Sequence, residues 1–198
     1  MSWYTVALFA HIVGVLALFI TQAMQWLITL RLRRASSVAQ VREWSGLSTS
    51  INRLAPVSGV LILGAGGYMT AAAWSVSTTW VDVSLGAMVI MMVLGMGVVS
   101  RRLKAIQRAA ALLSLDAMPT ALRTRIDDPA LWVSVQTTFA VALGIVFMMS
   151  NKTDLAASVA VVIVSLALGA VIGTATLRPR RVTQPLSAVV GAKDAGVR

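Results

Sequence analysis

His11 is the single histidine of this 198-residue chain and the only ionisable side chain well inside one of its long apolar runs. An ionisable group in hydrocarbon is costly and marks a functional site by default; the plain alternative is a neutral imidazole hydrogen-bonded to a neighbouring helix. Positions 11, 14, 18, 22, 25 and 29 follow the four-three spacing of one helix face and read His11, Gly14, Leu18, Gln22, Gln25 and Thr29. Such a polar stripe must face a bundle interior, because lipid offers no hydrogen-bond partners. It serves either as amide glue between helices, at about 1 kcal/mol each, or as a polar path or cofactor wall.

Depth decides what His11 can meet. It lies eight residues inside Trp3, roughly 12 Å at about 1.5 Å per residue. At similar depth come Met88, counted from Trp80, and the small patch Gly64, Ala65, Gly66 and Gly67, counted back from Trp74, with Tyr68 and Met69 just above. A histidine, a methionine and a glycine wall are the ingredients of a haem layer, with His11 and Met88 as candidate axial ligands. Glycines also let helices pack closely, which is their commoner role in membranes. Gln22 and Gln25, joined by Gln136, form a second polar layer nearer the other face.

Met88, Met92 and Met96, with Met91 beside them, recur at helical spacing. A thioether column could hold or pass Cu(I), but methionine is also a common apolar filler and packing is the stronger explanation. Ser165, Gly169 and Gly173 form a small-residue ridge that locates a close helix contact, within the bundle or in a homodimer. Asp82, Asp127, Asp128 and Asp154 sit where helix starts favour anions. The absence of cysteine excludes thiolate metal sites and disulfides, and one histidine excludes a multi-histidine zinc or di-iron centre. With no paired carboxylates across a buried site, no Ser/His/Asp set and no phosphate loop, no catalytic residue is assigned and an enzyme is not the leading expectation.

The elements that must position these residues follow from composition. Hydrophobic residues make up 58% of the chain and charged ones 12%, against about 45 to 50% and about 25% in a soluble domain. Five apolar runs, about 3–30, 54–74, 81–100, 130–150 and 155–177, each match the roughly 20 residues of a membrane-spanning helix. The first is too long for a signal-peptide core and ends in Arg31, Arg33 and Arg34, so a retained helix is expected. Of the 17 lysines and arginines, all but Lys152 fall in the segments 31–53, 101–125 and 178–198. Basic loops stay preferentially in the cytoplasm.

The expected fold is therefore all-α, an integral membrane bundle of five transmembrane helices over 1–178, N-terminus outside and C-terminus cytoplasmic. An amphipathic cytoplasmic connection over 101–129 is read as an extension of the third span or a surface helix, and 179–198 as a mobile tail. Trp3, Tyr4, Trp74 and Trp80 at outer ends, and Trp26 and Trp132 at inner ends, read as an aromatic belt. The net charge of +10 is accounted for by an anionic cytoplasmic leaflet of the cell (inner) membrane. Nucleic acid is not an expected partner, since the cations lie on three short segments rather than one folded surface.

His11 three residues before Gly14, in a first helix ending in arginines, with Pro56 and Gly59 opening the second, resembles a loose group of bacterial integral membrane proteins. The group includes an uncharacterised predicted-membrane-protein family related to the CopD copper-resistance proteins and, more distantly, the HemJ-type protoporphyrinogen oxidases. The likeness covers about the first 60 residues. The HemJ-type resemblance implies a haem ligand at His11; those enzymes pair it with a lysine on the third helix, which here has none before Lys104. The CopD resemblance implies copper handling, for which Met88, Met92 and Met96 are the additional ligands. Three readings follow: a non-enzymatic oligomer or accessory subunit of a larger membrane complex, a haem-binding redox protein using His11, and a copper or small-solute transporter.

Overall fold

The computed structural model describes residues 2–73, 78–114 and 118–175. They form α1 (Trp3–Arg34), α2 (Val38–Ile51), α3 (Leu54–Ala73) and α4 (Thr79–Met92), the last running on through a π-helical segment (Val93–Ser100) into α5 (Arg101–Ala111). Then come α6 (Thr120–Ile126), α7 (Pro129–Asn151) and α8 (Leu155–Ala175), with no strand among the described residues. Five helical stretches are long and apolar enough to cross a membrane, so the architecture is that of a multi-pass membrane protein. Trp74, Leu177 and the expected tail 179–198 lie outside the described residues.

Local signals set the boundaries. Ser2 caps α1 through Thr5 N–H at 3.3 Å, Ser37 caps α2 through Gln40 N–H at 3.4 Å, and Asp128, followed by Pro129 at the first helical position, caps α7 through Ala130 N–H at 2.9 Å. Side-chain acceptors here satisfy amides that the helix cannot. Lys152 closes α7 in the left-handed region (φ 49°), its N–H reaching Met148 C=O at 2.8 Å. This makes the tight turn into α8 that the short Asn151–Asp154 connection predicts.

The segment 35–53, for which the sequence predicts no element of its own, folds as α2. Its buried residues Val38, Val41, Ser45 and Ser48 fall on one face. The 101–129 connection takes the extension form, because α5 continues α4 without a break. Leu103, Ile106 and Ala110 are the buried face of α5.

The larger core lies at the end that gathers the arginines, hereafter the basic end. Ile28, Leu32, Val38, Val41, Val99, Leu103, Ile106, Leu122, Ile126 and Leu131 meet there. A smaller core (Ala87, Met91, Val141, Ala142) sits halfway along the bundle. Helices in lipid can leave apolar faces outward, as Val60 does at 71% exposure, whereas amphipathic helices beyond it must bury theirs. α7 is the central element, with 61% of its apolar window buried against 22% or less in the other four.

Trp132 departs from the aromatic-belt expectation: it is fully buried, its indole N–H donating to Ile126 C=O at 3.1 Å and its ring under the Arg33 guanidinium at 4.9 Å. Arg33 and Arg123 approach Asp127 at 3.5 and 3.4 Å, and Arg102 pairs with Asp128. Arg42 donates to the Ala110 carbonyl at 2.9 Å and to that of Leu113, capping α5. Cations are favourable at helix C-termini, so several arginines of this end hold the fold together as well as contributing charge.

Candidate functional site

α1 and α3 pack together along glycines. A Cβ on Gly14 would stand 2.9 Å from Leu61 Cβ and 3.1 Å from Ile62 N, so no larger residue fits without separating the helices. α4 packs instead along α7 through Ala87, Met91, Val141 and Ala142. Between these two pairs, in the gap that separates α3 from α4, lies a cavity of about 630 Å³.

His11 lies on its wall. Nδ1 is 3.0 Å from the Ile62 carbonyl. A carbonyl only accepts, so Nδ1 carries the hydrogen, and in the neutral ring Nε2 is left with its lone pair. Gly66 makes room for this ring: a Cβ there would come within 3.1 Å of both His11 Cε1 and Nδ1. Gly66 therefore has the close-approach role that the depth argument allowed for the patch. Gly64 and Gly67 face no atoms within 4 Å.

Met88 also lines the cavity, with Met91 from the same helix, Met69 from α3 and Met149 from α7. The structure thus sets His11 and Met88 around one space. It does not assemble the Met88, Met92 and Met96 column, since Met92 and Met96 are 55% and 66% exposed on the outer surface. Ser84, Ala87 and Met91 are the buried residues of α4, and Met92, one residue or about 100° on from Met91, turns outward, with Met96 exposed four residues later. Met149 is the cavity residue sequence reasoning missed. Its signal was available, since it lies three residues before Lys152 and hence at the same end as Trp80.

The mouth of the cavity carries Tyr4, Trp80, Asp82 and Lys152, while the rest of the lining is largely apolar. No group of three or more His, Cys, Asp or Glu is positioned to hold a metal ion among the described residues.

The glutamines lie deeper in the bundle. Phe19 and Phe139 meet edge to face, centroids 6.0 Å apart, and in the antiparallel register of α1 and α7 this sets Gln22 across from Gln136, both buried. Gln25 turns away to α2, its amide donating to Asn52 Oδ1 at 2.6 Å. No fully buried side-chain nitrogen or oxygen lacks a partner among the described residues. The Gln25–Asn52 bond is amide glue at one position. Gln25→Leu is expected to cost about 1 kcal/mol, read as a modest fall in the thermal midpoint of the micellar protein.

The ridge Ser165, Gly169 and Gly173 is used up within the chain. A Cβ at Gly169 would strike the Thr137 backbone, and one at Gly173 would stand 2.6 Å from Val133 Cα. Gly144 of α7 accommodates Ser165 in turn. Of the two contacts the ridge allowed, the structure realises the one inside the bundle. Comparison with family models, curated proteins and solved structures finds no match.

Proposed function

We propose that the protein binds haem in the cavity between α3 and α4, as a redox component of the cell membrane with its basic end in the cytoplasm. The observation that carries this reading is the His11 Nδ1 to Ile62 carbonyl contact, which leaves Nε2 as the lone-pair nitrogen on a cavity of about 630 Å³. Metal-ligating histidines typically donate their other ring N–H to a carbonyl or carboxylate, which fixes tautomer and orientation. The volume is within the usual range for cofactor sites. Met88 is the candidate second ligand, and Tyr4 and Lys152 at the mouth are the groups suited to haem carboxylates. When bound, haem supplies one-electron chemistry.

The chain's own residues bind and orient the group and keep water away through an apolar wall. Among the described residues no catalytic set accompanies them, which favours an electron-carrying or accessory role in a larger membrane complex over an enzyme. The resemblance of about the first 60 residues to HemJ-type proteins implies the same role for His11. Orientation rests on the clustering of basic residues at one end.

The protein purified from haem-replete cells is expected to show a Soret band that His11→Ala abolishes. Met88→Leu should retain haem and shift its spectrum from six-coordinate low-spin to five-coordinate high-spin. A colourless wild-type preparation, or a Soret band untouched by His11→Ala, overturns the reading.

A further inference from the structure

A second cavity, of about 220 Å³, lies at the basic end between α2 and α5, lined by Ser45, Ser48, Thr49, Asn52, Arg53, Leu103, Lys104 and Gln107. We infer that it is a binding site for the phosphate headgroup of an anionic phospholipid.

The lining contains two cations, Arg53 and Lys104, and no acid. The acids of this end that form ion pairs, Asp127 and Asp128, are engaged by Arg33, Arg102 and Arg123. Among the described residues neither Arg53 nor Lys104 has an ion-pair partner.

The polar atoms between them are arranged to donate. Gln25 Nε2 donates to Asn52 Oδ1 at 2.6 Å, and Thr49 Oγ1 to Gln107 Oε1 at 3.0 Å. Each amide oxygen already accepts one hydrogen bond, and the Gln107 nitrogen and the second hydrogen of Asn52 Nδ2 are left to donate. Ser48, almost wholly buried, accepts from Asn52 Nδ2 at 3.4 Å and keeps its own hydrogen to give. Two cations at the rim of a pocket with several convergent donors suit a phosphate.

The position selects a lipid over free phosphate. Leu54 follows Arg53 directly and opens α3, whose Leu54, Val57 and Val60 are exposed at 41%, 54% and 71%. A headgroup held at Arg53 therefore has an apolar helix face beside it along which its acyl chains can run. Basic pockets at the ends of spanning helices are the expected seats for anionic headgroups.

The test is native mass spectrometry of the full chain released from phosphatidylcholine micelles carrying phosphatidylglycerol, with inorganic phosphate in a parallel sample. Wild type should retain phosphatidylglycerol in preference to phosphatidylcholine. Arg53→Gln with Lys104→Gln should bind it about 30-fold more weakly, equivalent to about 2 kcal/mol at about 1 kcal/mol per cation. The charge-preserving Arg53→Lys with Lys104→Arg should keep most of the binding. Arg34→Gln with Arg125→Gln removes the same charge from exposed positions outside the pocket and should leave it unchanged. Equal loss in that control shows diffuse surface attraction and overturns the site. Binding of inorganic phosphate that displaces the lipid completely overturns the lipid as occupant.

Discussion

Gly169→Leu is expected to separate α8 from α7 and leave little monodisperse protein after solubilisation. The Cβ alone would meet the Thr137 backbone, and backbone cannot swing aside as a side chain can. Overpacking usually costs about 1 to 3 kcal/mol, occasionally more; a contact with helix backbone belongs at the upper end of that range. In lipid the loss is not offset by hydrophobic attraction, since helix association there depends on close van der Waals fit. Size-exclusion recovery after mild detergent extraction measures it. Gly86→Leu is the control, because a Cβ there meets nothing within 4 Å. Equal recovery of the two variants would show that the α7–α8 seam tolerates the side chain.

The second large effect is expected at Trp132. Truncation of a fully buried tryptophan costs about 3 to 5 kcal/mol, and Trp132→Ala also removes the donor to Ile126 C=O and the surface under Arg33. The basic-end core, which includes Leu131 and Val135 on either side of this residue in sequence, should loosen as a unit. Thermal unfolding followed by helix signal reads the loss. Trp132→Phe keeps an aromatic ring and gives up the hydrogen bond, so its cost should be about 1 to 2 kcal/mol. Trp26→Ala, at a half-exposed position, should stay within about 0.5 kcal/mol of wild type. An unfolding midpoint for Trp132→Ala close to that of Trp26→Ala would contradict the assignment.

These two residues show how legibility divides. Gly169 was readable as a contact residue, because four-residue spacing of small side chains is a one-dimensional pattern. What lay outside the sequence was the partner, and the answer was α7 of the same chain. Trp132 reads naturally as an interfacial anchor by position, yet it is fully buried, with Ile126 of α6 accepting its N–H and Arg33 of α1 lying over its ring. α2 itself escaped because its apolar face is short, Val38 and Val41 followed by Ser45 and Ser48, so burial and not hydrophobicity defines it.

By itself the sequence determined the five apolar helices, their boundaries to within a few residues, the gathering of basic residues at one end and the isolation of His11 in an apolar run. Each is a local property: hydropathy over a window, a capping side chain, a count of charges. Only the tertiary structure decided that Ile62 and Gly66 fix the imidazole, that Met88, Met69 and Met149 surround the same space while Met92 and Met96 point away, and that Arg53 and Lys104 frame a pocket. Those facts depend on which helices touch and which face of α4 they cover, and residues about 50 apart in sequence, as His11 and Ile62 are, meet only when the bundle closes.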